Sequence, residues 1–223
     1  MAKRSARPVS KPHEKQSLNL FSINFKTEAQ RDAFDAIKES DVTFLIGAAG
    51  SGKSHVAMGY SIGEVLDGRR TKIVLTRPIV EAGERLGFLP GDFDEKVAPY
   101  MLPLFDCLTK IAGDSKSDRR RKVEEAIEVA PLAYMRGRTF DDAVIIFDEA
   151  QNATYGQIKL LLTRIGKNSK VIVTGDPDQT DLPDSGLDEA VDRLQDVQGI
   201  SVVEFDASDV VRHPVVSRIL RAM

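Results

Sequence analysis

The sequence predicts an α/β fold, a parallel sheet with helices on both faces. Three observations lead there. Short, largely apolar runs of strand length at 42–46, 72–76, 143–147 and 170–174 alternate with segments of helical period. Their near-continuous apolar character suits strands buried on both faces, which a parallel sheet requires. Two of the runs end in residue types that bind phosphate and metal: a glycine-rich turn follows the first, and an Asp-Glu pair follows the third.

Taken in order, residues 1–18 are basic and polar, contain Pro8 and Pro12, and have little to bury. They read as a flexible tail ahead of one domain spanning 19–223. No apolar stretch follows the basic residues, so a secretory signal is not expected. Thr27-Glu28-Ala29-Gln30 has the form of a capping box. Ala33, Phe34 and Ile37 give the helix behind it an apolar face. The strand at 42–46 leads through the glycine turn into a helix over about 52–66, stopped by Gly68. Residues 81–92 hold three glycines and a proline and read as a long functional loop. Val97, Met101, Leu104, Phe105, Leu108 and Ile111 keep helical spacing, but Pro99 and Pro103 should break or kink that helix. The polar stretch 111–121 reads as an exposed connection.

After the strand at 143–147, Thr154-Tyr155-Gly156-Gln157 forms a second capping box. Its helix carries Ile158, Leu161, Leu162 and Ile165 on one face and is expected to end at Gly166. The strand at 170–174, a helix near 187–194, a strand at 201–205 and a short helix after Pro214 complete the chain. No internal repeat or second-domain boundary is visible.

Composition narrows the function. The chain has 223 residues, 42% hydrophobic, enough for one domain with a real core. No apolar run approaches the roughly 18 residues of a membrane span. The single cysteine, Cys107, cannot form an internal disulfide, and a reducing cytoplasm is the expected setting. His13, His55 and His213 are scattered, so a metal cage made by the protein alone is not expected. With net charge −3, any nucleic-acid site must be local.

Gly47-Ala48-Ala49-Gly50-Ser51-Gly52-Lys53-Ser54 matches the phosphate-binding pattern G-x-x-x-x-G-K-[ST] between a strand and a helix, the context it needs. The glycines let backbone N–H groups wrap phosphate oxygens, and the helix N-terminus adds partial positive charge. Lys53 is expected on the β- and γ-phosphates of ATP, and Ser54 on Mg²⁺. His55, next along the helix, joins the nucleotide-binding set. Asp148, at a strand's carboxyl end, is placed to hold Mg²⁺, and Glu149 to accept a proton from attacking water. A third strand ends in Gly175-Asp176-Pro177-Asp178-Gln179. Gln179 either orients water and senses the γ-phosphate, or the Asp-Pro turn merely leaves the strand.

Three stretches resemble the PhoH-like (phosphate-starvation-inducible) ATPase family. They are the run from Thr76-Arg77-Pro78 to Leu89-Pro90-Gly91-Asp92, Tyr134-Met135-Arg136-Gly137-Arg138-Thr139-Phe140, and Asp148-Glu149-Ala150-Gln151-Asn152; Val210-Val211-Arg212-His213-Pro214 extends the likeness. The resemblance runs from about Thr27 to the C-terminus. It implies a RecA-like P-loop core related to the motor domain of superfamily 1 helicases. It further implies that Asp148–Gln151 is motif II, Gly175–Gln179 motif III, and Gln30 an adenine-reading glutamine; Gln30 has the capping role as its alternative. Some relatives carry a nuclease domain; with no extra acidic cluster and little length beyond the ATPase core, one is not expected in this sequence.

The sequence carries one motor core, whereas a two-domain helicase supplies arginines from its second domain. The expectation is therefore an arginine given in trans by a neighbouring subunit of a homo-oligomeric ring, such as a hexamer. Arg138 and Arg212 are the first candidates, with Arg136 and Arg164 behind them. Single-stranded RNA or DNA is the expected partner, through Arg77, Glu81, Arg85 and Phe88 in the loop after the second strand. The tail's Lys3, Arg4, Arg7, Lys11 and Lys15, or the run Arg119, Arg120, Arg121 and Lys122, are further candidates. The leading reading is an oligomeric ATPase acting on nucleic acid, RNA favoured. A slow ATP-dependent switch that binds a protein partner, or a P-loop kinase, remains as the alternative. Against the kinase, Glu149 directly after Asp148 suits activation of water.

Overall fold

A computed structural model of the protein describes residues 23–78, 93–112, 117–211 and 215. The expectations for the tail, for 81–92 and for Arg212, His213 and the helix after Pro214 fall outside these residues. The strands β1 (Val42–Gly47), β2 (Lys72–Thr76), β3 (Ile127–Val129), β4 (Ala143–Phe147), β5 (Lys170–Gly175) and β6 (Ile200–Phe205) form one sheet in the order β3-β2-β4-β5-β1-β6. Every pairing is parallel. The carboxyl ends of β1, β4 and β5 therefore lie side by side, and the loops that leave them share one edge.

Alternation along each strand sorts its side chains to the two faces. Leu45, Ile73, Leu75, Val144, Ile146 and Ile172 pack on one side, with α1 (Glu28–Glu39), α2 (Lys53–Leu66), α3 (Phe93–Ala112) and α4 (Asp118–Ala126). Phe44, Val74, Ile145, Phe147, Val171 and Val173 pack on the other, with α5 (Tyr155–Leu162) and α6 (Leu187–Leu194). Lys170, predicted as the first residue of a strand, has a second task. Its buried ammonium donates to the carbonyls of Lys38 (3.1 Å) and Ser40, at the C-terminal end of α1, where a cation complements the helix dipole.

Four expectations need correction. The helix carrying Pro99 and Pro103 does not break: α3 runs unbroken for 20 residues. Met101, Leu104 and Leu108 are buried against the core, and Pro103 lies on the exposed side, where a carbonyl that loses its N–H partner can meet water. The stretch 111–121 is not simply an exposed connection. It enters α4, capped by Ser117, and Arg120 is buried with bonds to Glu124 (2.6 Å) and Thr109 (3.2 Å). Arg120 is therefore internal, while Arg121 of the same run is exposed. The helix expected to reach Gly166 ends at Leu162. Gly166 instead donates its N–H to the Phe140 carbonyl at 2.9 Å. The first capping box is half formed: Thr27 caps Gln30 N–H, but the Gln30 side chain goes elsewhere. The short edge strand β3 is an addition that the apolar pattern does not announce.

The turn into α6 imposes a tight steric limit. A Cβ on Gly186 would lie 1.9 Å from the Tyr155 nitrogen, because Gly186 packs against the start of α5 and donates to Ala153 O at 2.8 Å. Gly186→Ala should therefore destabilise the protein by about 1–3 kcal/mol, read as a lower denaturant midpoint with unchanged slope. An unaltered midpoint would show that α5 and α6 can part at no cost.

Candidate nucleotide site at the carboxyl edge

The glycine turn after β1 folds as an open ring of backbone. Gly47, Gly50 and Gly52 have φ of +126°, +87° and +94°, a region that side-chain-bearing residues avoid. At Gly47 the exclusion is also steric: a Cβ would sit 1.9 Å from the Phe205 carbonyl oxygen at the end of β6. The ring is held from several sides. Ala48 N–H reaches Phe205 O (3.3 Å), Ala49 N–H donates to Asp176 Oδ2 (2.8 Å), and Val211 N–H donates to Gly50 O (3.0 Å). Gln30, buried in α1, donates from its amide to Ser51 O (2.8 Å) and accepts from Lys26 N–H (2.8 Å). Its amide thus braces the glycine turn from below.

Lys53 opens α2 and is largely buried. Its ammonium donates to Gly47 O (2.5 Å) and Ala48 O (2.9 Å), the first two residues of the turn. Ser54 Oγ donates to Asp148 Oδ1 (2.8 Å), and Thr174 Oγ1 donates to the same oxygen (2.5 Å). Asp148 is 4% exposed, so its carboxylate depends on these hydroxyls. The hydroxyl of Ser54 and the carboxylate of Asp148 are hard oxygen donors side by side beside the phosphate-binding turn. That donor set fits Mg²⁺, which takes one or two protein oxygens and keeps waters.

Glu149 stands one residue beyond, in the left-handed region at φ +57°. Its Oε2 accepts from Gln151 Nε2 (2.5 Å), and its Oε1 pairs with Arg77 at the end of β2 (3.2 Å). Gln151 is buried and also accepts from Asp176 N–H (3.1 Å). Asp176 Oδ2 in turn receives Gln179 Nε2 (2.8 Å) as well as Ala49 N–H. One side-chain network therefore joins Glu149, Gln179 and the glycine turn. A cavity of about 240 Å³ opens here, and Lys53, Ser54, His55, Asp148, Glu149 and Gln179 are among its lining residues. Burial, with Lys110 adding repulsion, holds His55 below the usual imidazole range, so it lines the cavity uncharged.

The structure thus places residues of the glycine turn, Lys53, Ser54, His55, Asp148, Glu149 and Gln179 around one cavity. It does not bring Arg138 among the cavity's lining residues. That guanidinium lies 4.5 Å from the centroid of the Phe140 ring and pairs with Glu128. Arg212 falls outside the described residues. Sequence reasoning missed the individual parts played by Thr174, Gln151, Asp176 and Cys107. The first three close strands or follow them at this edge, a positional cue that could have flagged them. Cys107 reaches the cavity from α3. Burial foremost, and the charge of Asp148 next, push its thiol up, which keeps it protonated.

Residues 22–223 match a family model described as PhoH-like protein. A PhoH-like protein of Bacillus subtilis (strain 168) is 51% identical over 204 residues, covering 90% of this chain and 64% of the relative. One from Synechocystis is 49% identical over 203 residues, covering 90% and 62%. Protein PhoH of Escherichia coli (strain K12) is 42% identical over 212 residues, covering 93% and 60%. The chain therefore spans somewhat less than two thirds of the length of these relatives. Among solved structures, the large terminase of a thermophilic bacteriophage, in complex with ADP, aligns with TM-score 0.55 at 13% identity, covering 88% of this chain and 50% of that one. A second crystal form of that terminase gives 0.58 at 12% identity, with the same coverage. That likeness is one of fold, and the fold is the RecA-like P-loop class.

Thr174→Val removes one of the two hydroxyls on Asp148 while keeping the side chain's shape. A hydrogen bond to a buried charged group contributes about 1.5–3 kcal/mol, and nucleotide-free Thr174→Val should lose that much in denaturant unfolding. A loss below about 0.5 kcal/mol, the scale of ordinary surface substitutions, would mean that Asp148 does not rely on Thr174.

Proposed function

The chain belongs to the PhoH-like family, and we propose that its domain binds ATP with Mg²⁺ and hydrolyses it to ADP and phosphate. The observation that carries this reading is the Ser54–Asp148 bond at the glycine turn, with Glu149 lining the same cavity one residue on. For ATP to bind, Lys53 exchanges the carbonyls of Gly47 and Ala48 for phosphate oxygens. Ser54 and Asp148 are the residues that would hold the Mg²⁺, whose charge would offset that of the phosphates. Glu149 accepts a proton as a water oxygen bonds to the γ-phosphorus and the bond to the bridging β–γ oxygen breaks. Gln179, held by Asp176, orients that water or senses the γ-phosphate. The same Asp176 oxygen holds Ala49 N–H, so the phosphate cradle and Gln179 move on a shared support.

The ATPase is proposed to act on single-stranded nucleic acid, RNA favoured, as a homo-oligomer. An open groove of about 660 Å³ runs beside α5; the described residues lining it include Arg136, Lys159 and Arg164, and none of those described is acidic. That charge suits a phosphate backbone. Among the described residues lining the nucleotide cavity, Lys53 is the only lysine or arginine. The charge that develops on the transferred phosphoryl group calls for another cation, which a neighbouring subunit would supply. Arg138 and Arg212 remain candidates, and Arg138 would first have to leave Glu128 and Phe140. A slow ATP-dependent switch is the second reading. It is favoured by the engagement of Lys53 and of both Glu149 oxygens within the chain.

Glu149→Gln should bind ATP with little change and hydrolyse it about 10²–10⁴-fold more slowly, measured as phosphate release beside nucleotide binding. Undiminished turnover would remove Glu149 as the base. The oligomer is tested by mixing. Lys53→Ala subunits, unable to bind ATP, are combined with subunits carrying Arg138→Ala or Arg212→Ala. Activity should return at interfaces that pair an intact pocket with an intact arginine, although each variant alone is inactive. A protein that is monomeric by mass at full turnover would sink the proposal of an arginine in trans.

A further inference from the structure

Glu149 is the side chain placed to take water's proton, yet the protein holds both of its carboxylate oxygens. Gln151 donates to Oε2 at 2.5 Å, and the Arg77 guanidinium sits 3.2 Å from Oε1. The two partners differ in kind. Gln151 is buried and fixed to the end of β5 through Asp176 N–H, so it aims the carboxylate from inside the fold. Arg77 is 22% exposed and is not among the residues lining the nucleotide cavity. It therefore approaches Glu149 from beside the cavity and is poorly placed to be a ligand of the γ-phosphate.

The backbone locks the pair in register. Thr76 pairs with Phe147 across β2 and β4, and Asp148 N–H donates to Thr76 O at 3.0 Å. Arg77 and Glu149 thus leave two hydrogen-bonded strands as neighbours, each just beyond that last bond. Glu149 has little backbone freedom of its own, with φ +57° and its carbonyl accepting from Asn152 N–H at 3.0 Å. Its carboxylate position is accordingly set by side-chain partners. A partly exposed ion pair is weak enough to be exchanged for another anion.

We infer that Arg77 is a latch on Glu149: while the pair is made it restrains the carboxylate that must receive water's proton, and an anionic phosphodiester that engages the guanidinium from the surface frees it. Arg77 is thus a positioning residue that acts through the Glu149 carboxylate and not on the phosphates. Once released, Glu149 keeps the Gln151 N–H and stays aimed. The link between the protein's surface and hydrolysis is then one ion pair at the adjoining ends of β2 and β4. The release step rests on the nucleic-acid reading proposed above; the latch itself does not.

The test compares steady-state hydrolysis by the full-length protein with that of Arg77→Gln and Arg77→Ala, with and without a single-stranded RNA oligonucleotide. Arg77→Gln keeps most of the stem and removes the charge, so it decides the matter if the alanine variant folds poorly. Without RNA, kcat should rise about 2- to 5-fold, the range expected from losing a partly exposed ion pair, with KM for ATP unchanged. RNA should add little further. Arg77→Lys, which keeps a cation near Glu149, should restore the low basal rate and the response to RNA. A fall in kcat would overturn the latch, since Arg77 would then support the base, and an unchanged kcat would overturn it equally. If RNA stimulates Arg77→Gln as much as the unaltered protein, the release step is wrong. If RNA stimulates neither, the nucleic-acid reading fails, while the basal rates still decide the latch.

Discussion

A buried carboxylate organises this molecule. Asp148 closes the central strand β4 with 4% of its surface exposed, and a charge so placed is tolerable only if its oxygens are bonded. The bonds come from two other elements: Ser54 at the start of α2 and Thr174 at the end of β5. The residue's own N–H goes to Thr76 on β2. Meeting the needs of one side chain thus ties together two strands flanking β4 and the helix that follows the glycine turn. The same requirement sets the oxygens of Ser54 and Asp148 side by side, so local stability and the proposed metal site draw on the same atoms.

From that point the site extends as a chain of amides and carboxylates. Glu149, Gln151, Asp176, Gln179 and Ala49 are joined by hydrogen bonds of 2.5–3.1 Å. Each member lies at the carboxyl end of β1, β4 or β5 or shortly after it, where strand order makes the three neighbours. Such a network has few independent positions, since moving one member strains the next. The cations contrast with it. Lys53 bonds to carbonyls that phosphate oxygens can replace as partners, and Arg77 holds a partly exposed ion pair. The carboxylates and amides form the fixed frame, and the cations are the parts with exchangeable partners.

Much of this was legible in the sequence, and the misses have definite causes. The inner strands β1, β2, β4 and β5 were recovered within a residue or so because strands buried on both faces leave a largely apolar record. Edge strand β3 leaves none: it has three half-buried residues, one of them Glu128. Prolines at 99 and 103 carry a local penalty that reads as a break, but burial of Met101, Leu104 and Leu108 acts on the whole helix and offsets it. Arg120 sits in a run of basic residues that looks solvated, and its burial follows from partners on α3 and α4. Gln30 has capping-box spacing, yet its amide reaches a turn 21 positions away.

The sequence by itself determined the class of fold, the glycine turn between β1 and α2, and Lys53, Ser54, Asp148 and Glu149 as the candidate site residues. Those features depend on short-range necessity: glycines where φ is positive, apolar residues where strands are covered on both sides, and a lysine and a serine at a fixed offset from the turn. The tertiary structure alone decided what each of these groups touches. Thr174 on Asp148, Asp176 beneath the glycine turn and Arg77 beside Glu149 are contacts between segments far apart in the chain, and no local pattern encodes them. They arise because a parallel sheet gathers its strand ends at one edge, and strand order, a property of the assembled fold, selects which ends become neighbours.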